Sequence, residues 1–229
     1  MTQIHEALEP PADVAGSTTT WRSRPRDWQR VSLFAGGVAF AVGNLLHPLE
    51  HNDAAYHSTT WKAAHLVIFF SLPFIVLGLP VLHRSLVTRV GTRLSAFAVA
   101  ASVVGLIGIA PGTITETFVA PMIGHQAMEE LESGGMGTVN ALLGTVYLGG
   151  TIALGWAVVS ARLRPRGAGP ALIASAVVLL GVMTATGPLA GVVIITATVV
   201  YGLSLSALAA KAPVPTSTAV AGTDFRRAR

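Results

Sequence analysis

The sequence predicts an all-α membrane protein: a polytopic bundle of six transmembrane helices with both termini in the cytoplasm. Three observations predict it. Only 11% of the 229 residues are charged, while 52% are hydrophobic. A soluble domain carries about 25% charged residues, so this chain lacks the polar surface that water requires and points to hydrocarbon as its solvent. The apolar residues are gathered into runs of the length that spans a bilayer, about 20 residues each. Finally, the basic residues sit in alternate connections between those runs, which gives the whole an orientation.

Taken in order, residues 1–30 are polar and end in Arg22, Arg24, Arg26 and Arg30. They read as a disordered basic tail at the membrane surface, with Trp21 and Trp28 suited to the headgroup zone. No apolar core followed by a small-residue cleavage site occurs there, so the tail is not read as a signal peptide. The transmembrane domain covers residues 31–210, with spans at about 31–49, 63–82, 94–115, 139–160, 171–187 and 188–210. The last two come from one uncharged stretch, Ala171 to Ala210. As a single helix it would be a rod of about 60 Å, twice the hydrocarbon thickness. It must therefore fold back, and Gly187-Pro188 is the natural hairpin. Residues 211–229 form a second disordered tail, and Glu129–Gly137 an acidic, glycine-rich outer connection. Spans 1–3 and 4–6 show no internal repeat of the kind many transporters carry.

Six spans with a cytoplasmic N-terminus put the arginines at 22–30, 84–93, 162–166 and 226–229, together with Lys211, on the inner side; only Lys62 falls outside. So lopsided a distribution fits insertion into the plasma membrane under the positive-inside rule. The basic pI, near 10.1, is thereby explained without nucleic acid as a partner; the expected partner is the lipid bilayer. There is no cysteine, which excludes disulfides, thiolate metal sites and cysteine nucleophiles.

The polar residues of the spans are not scattered. His47, His51, His57, His65 and His125 map to the outer side, with Glu50, Glu116, Asn44 and Asn140 at similar depth. At the end of the first run, positions 44, 47 and 51 share a face if the helix continues. Pro48 argues for a kinked or broken end instead. His57, Trp61 and His65 lie on one stripe at the start of the second span, where Ser58, Thr59 or Thr60 can cap the helix. Glu116 is the only charged residue between Arg93 and Glu129, and a carboxylate at that depth must be protonated or paired, with a histidine from span one or two as the natural partner.

Several readings of this cluster stand side by side. Interfacial histidines and polar loop residues need no function. Imidazole with carboxylate is also a ligand set for a transition metal, from His47, His51, Glu50, His65 and Glu116, and His47 with His65 is a candidate haem pair. A membrane-embedded enzyme would use Glu116 and Glu50 as acids, with His65 or His47 orienting them or returning the proton, on a prenyl or other lipidic small molecule; small integral-membrane terpene cyclases share that architecture. A small transporter or a pH-responsive protein would use the same groups. Around the core stand His51, Asn44, His57, Trp61, His125 and Asn140.

The pattern HPLEH at 47–51, W-x-x-x-H from Trp61 to His65 and ETFVAP from Glu116 to Pro121 resembles uncharacterised small multi-span membrane proteins of high-GC Gram-positive bacteria. The resemblance covers spans 1–3. It brings no activity, and implies that the outer polar cluster is more than accident.

Overall fold

A backbone in hydrocarbon must satisfy its own hydrogen bonds, so each apolar run has helix as its only open-chain solution. The structure, a computed structural model, describes residues 24–182 and 187–212. The expectations for residues 1–23, 183–186 and 213–229 lie outside the described residues. Among those described there is no strand; the elements are α1 (Arg24–Leu45), α2 (Asp53–Tyr56), α3 (Thr59–Gly78), α4 (Pro80–Val90), α5 (Thr92–Ile114), a π-helical turn (Thr115–Val119), α6 (Ala120–Ser133), α7 (Gly135–Ser160), α8 (Ala168–Val182) and α9 (Pro188–Lys211). Among the described residues, four helical stretches are long and apolar enough to cross a membrane: Thr59–Gly78, Thr92–Ser133, Gly135–Ser160 and Pro188–Lys211.

Several boundaries differ from those the apolar runs suggest. Helix α1 starts at Arg24, within the polar segment expected to be disordered, and it stops at Leu45 rather than continuing to Leu49. The stop follows from Pro48, which disfavours helical geometry at His47 and cannot donate a backbone bond. Helix α3 begins earlier than Ala63 because Ser58 caps it: its Oγ accepts the Trp61 N–H at 3.1 Å. The third run does not end near Thr115; it passes through the π turn into α6. Glu129–Ser133, expected in a loop, is helical, and the connection shrinks to Gly134.

Among the described residues, α1, α3, α5, α7, α8 and α9 form a ring in chain order. Helix α1 packs on α3, α3 on α5, α5 on α7, α7 on α8 and α8 on α9, and α9 closes back onto α1. Short connections explain the pairs α7–α8 and α8–α9, since consecutive helices joined by few residues must lie antiparallel and adjacent; the earlier neighbours are linked through α2, through α4, and through the π turn with α6. Small residues set the spacing. A Cβ on Gly37 would stand 2.5 Å from the Gly202 carbonyl oxygen, and one on Gly105 would stand 2.3 Å from the Tyr147 Cα. The backbones touch there, as close helix packing in lipid requires. Gly105→Ala should therefore lower stability by about 1–3 kcal/mol, the usual cost of overpacking. Gly149, where a Cβ meets nothing within 4 Å, should tolerate alanine with no loss. Unfolding by SDS in mixed micelles reads both, and equal stability of the two variants would contradict the packing account.

One end of the ring is arginine-tied. Arg30 donates to the carbonyls of Ala209 and Ala210 at the end of α9, at 3.1 and 3.0 Å, and Arg89 donates to the Ala161 carbonyl after α7, at 3.1 Å. These cations complete the negative ends of helix dipoles. The segment following α1 and the start of α9 therefore lie at the opposite end of the bundle, where the polar cluster is found.

Candidate metal centre

The site begins with an irregular stretch of backbone. Pro121 has no N–H. The chain approaches it through a π turn, in which the Ala120 N–H reaches back five residues to the Thr115 carbonyl. In that register the Glu116 carbonyl has lost Ala120 as a donor, and its π-type partner is the imino nitrogen of Pro121, which has nothing to give. A buried carbonyl left in that state is costly. The Trp61 indole fills the place, with Nε1 donating to the Glu116 carbonyl at 2.7 Å. Trp61 is itself fully buried. Sequence order thus positions Glu116 twice over: the proline imposes the wide turn, and the tryptophan one helix away pins it.

The second contribution comes from the segment after α1. His47 and His51 do not share a helical face, because the helix ends before them; they converge as loop residues, with ring centroids 5.3 Å apart. Both rings pack against Trp61, at 5.1 and 5.2 Å. The His47 Nδ1 lies 2.8 Å from the Pro48 carbonyl and the His65 Nδ1 lies 2.9 Å from the Trp61 carbonyl. A carbonyl only accepts, so each Nδ1 carries the proton, and each Nε2 is turned toward the other ring. The two Nε2 atoms are 3.3 Å apart, and the His65 Nε2 is 2.8 Å from the Glu116 carboxylate. Lone pairs and an anion so close together require a positive centre: a proton held between His65 and Glu116, a metal ion, or both.

One ligand atom from each of His47, His51 and Glu116 falls within 4.8 Å of the other two. These three residues can hold a metal ion. Ligand atoms around tetrahedral zinc lie about 3.3 Å apart, given bonds near 2.0 Å, so a modest side-chain rotation closes the gap. Neighbouring groups orient these ligands as well. The Nδ1 of His47 is fixed by a carbonyl, and His65 holds the carboxylate, the arrangement that orients ligands in metal sites. His51 keeps an exposed edge, yet desolvation among the surrounding rings holds its imidazole below the usual range, opposed by the charge of Glu116. It is neutral, hence a usable ligand, at neutral pH.

The other polar residues take different places. Glu50 is exposed and pairs with Asn52 at 3.3 Å, outside the cluster. His57 is exposed at the end of α2 and joins no ligand group among the described residues. Asn44 spends an N–H on the Phe40 carbonyl at 2.8 Å, and with Asn140 it lines the cavity under the cluster. His125 sits further out, 3.4 Å from the Tyr56 hydroxyl and 3.3 Å from Glu129. Burial pushes the Tyr56 phenol up to about 12, reinforced by nearby carboxylates, so it stays protonated.

Two structural residues escaped sequence reasoning. Gly124 breaks α6 with φ of 81°, and Asp53 accepts the N–H of the next residue, His125, at 2.7 Å. The helix restarts there, capped across space by a residue far away in the chain; an Asn-Asp pair before a short helix is the sole hint of it. Tyr56, Trp61, Ala120 and Met128 form a small separate core that seats this cap over the cluster.

Two cavities meet at the cluster. One, of about 360 Å³, runs inward beneath His47, His51, His65 and Glu116. The other, of about 490 Å³, opens outward past His51 and Glu116 toward Glu129 and Glu132. Comparison with protein-family models, with curated proteins and with solved structures finds no match for this chain. Its function must be argued from the site itself.

Proposed function

We propose that the chain is a six-span protein of the plasma membrane, with both termini cytoplasmic, that binds a transition-metal ion at its outward end through His47, His51 and Glu116. The observation that carries the metal reading is the convergence of three ligand atoms within 4.8 Å at the junction of an outer and an inner cavity. Two neutral imidazoles and one carboxylate suit zinc, and also copper, iron or nickel. A haem held by His47 and His65 is less favoured, because their ring centroids are 4.7 Å apart and their Nε2 atoms face each other directly, with no room for a macrocycle between them. Support for six spans comes from the closed ring: α1 and α8 complete it as full members beside the four stretches that are long and apolar enough to cross a membrane. Their apolar sequence starts at Val31 and Ala168. The arginine-tied end supports the orientation.

Metal content is the direct test. The purified chain, dialysed against zinc and then freed of loosely bound ion, should retain about one equivalent. Retention of none, or retention unchanged when His47, His51 and Glu116 are all replaced by alanine, would sink the reading. Orientation has its own test, helped by the absence of native cysteine. A cysteine at Ser133 should react with an impermeant maleimide on intact cells, and one at Gly167 only after lysis. The reverse pattern would invert the topology.

A further inference from the structure

Beneath the cluster the inner cavity adjoins a second hollow of about 330 Å³ that is open along part of its wall. The two share Asn44, Ile68, Ile109 and Ile194 in their walls. The deeper chamber is apolar nearly throughout, walled further by Phe40, Leu148 and Leu179. Every helix of the ring contributes to it. At its side lies Tyr147, whose hydroxyl, like that of Tyr201, is buried and makes no hydrogen bond of normal geometry among the described residues, although the two rings pack at 5.4 Å.

The two adjoining hollows make a cleft with two chemically opposite ends. An apolar hollow of this size is not a place for water, which needs several polar partners, and left empty it forfeits dispersion contacts for its whole lining. A hydrocarbon chain satisfies it. The other end is the metal centre, and a set of three protein ligands leaves a coordination position open. Two neutral histidines and one carboxylate do not neutralise a divalent ion, so the centre stays net positive and prefers an anionic oxygen. We infer that the site binds a single-chain amphiphilic carboxylate of the fatty-acid class, with its head on the metal beside His47 and Glu116 and its tail in the chamber between Phe40, Ile109, Leu148 and Leu179. The inference rests on the metal reading and adds to it the ligand.

Cobalt is the probe for the head, because its visible spectrum reports its coordination. The full chain in detergent micelles is loaded with Co²⁺ and given dodecanoate, and separately dodecanol at the same mole fraction in the micelle. Dodecanoate should shift the cobalt bands to saturation, and dodecanol should not. Leu179→Trp, which fills the chamber from the partly buried face of α8, should keep the cobalt bands and require at least tenfold more dodecanoate. The tail has a test that needs no variant. Dodecanoate carrying a terminal diazirine, irradiated with the cobalt-loaded protein, should label Phe40, Leu148 or Leu179. Cobalt bands that ignore dodecanoate, or that answer dodecanol equally, overturn the inference and leave the metal reading intact. So does labelling confined to the outward-facing Phe97 and Leu142. Failure to bind cobalt at all overturns both.

Discussion

Replacing His47 with alanine should weaken zinc binding at least about 100-fold, since the loss of an outer-shell partner alone already costs 10–100-fold in comparable sites. His47 is the residue most committed to the centre. Its Nδ1 is held by the Pro48 carbonyl and its ring is wedged between those of His51, Trp61 and His65. The Nε2 therefore arrives pre-aimed, while the nearest other ring nitrogen, the His65 Nε2 at 3.3 Å, is engaged with the Glu116 carboxylate. His57→Ala and Glu50→Gln act as controls. Both residues are exposed and stand outside the ligand group, so zinc affinity should be unchanged. The effect should also appear in stability. At zinc a hundredfold above its dissociation constant, binding stabilises the wild-type fold by about 2.7 kcal/mol, and His47→Ala should lose most of that increment in addition to the metal-free loss caused by removing its ring from between its neighbours. Isothermal titration and thermal unfolding with and without zinc measure the two sides. Equal losses in His47→Ala and His57→Ala would show that the metal reads surface histidines, and not the cluster.

How far this arrangement is legible in the sequence depends on which interactions set it. Spans and their order follow from local composition, because hydrocarbon leaves a 20-residue apolar run few alternatives. Glu116 stands out for a similar reason: a lone charge in a long uncharged stretch must have a partner, and His65 lies at 2.8 Å. The rest is set by contacts that no window of sequence contains. Helical periodicity alone puts His47 and His51 on one face, yet they meet through a loop, since Pro48 ends the regular geometry and ring packing on Trp61 replaces it. Glu50 sits between them in sequence and turns away, because side chains of a loop need not alternate in any fixed period. The helix from Glu129 to Ser133 survives its acidic, polar composition because Asp53 caps the restart at His125 and Met128 is buried against Trp61 and Tyr56. Composition marks such a segment as a loop until its tertiary partner is known.

Trp61 is where fold and site depend on the same side chain, and its substitutions separate the two. Trp61→Ala should cost about 3–5 kcal/mol, the usual loss for a buried large aromatic, and should release both His47 and His51. Trp61→Phe is more informative. The ring remains and the packing nearly so, but the Glu116 carbonyl loses the donor 2.7 Å away, and an orphaned buried carbonyl costs about 1–3 kcal/mol. The π turn should then relax and move the carboxylate out of the ligand group, so zinc affinity should fall together with stability. Pro121→Ala supplies the missing control. An alanine there restores an N–H five residues after Glu116, the register in which Ala120 already bonds Thr115. In that background Trp61→Phe should be less harmful, with a coupling between the two sites of about 0.5–3 kcal/mol, the range for residues sharing a partner. A Trp61→Phe variant with wild-type stability and zinc affinity would show that the indole N–H is not what holds the turn. Additive effects in the double variant would show that proline and tryptophan do not act through the same carbonyl.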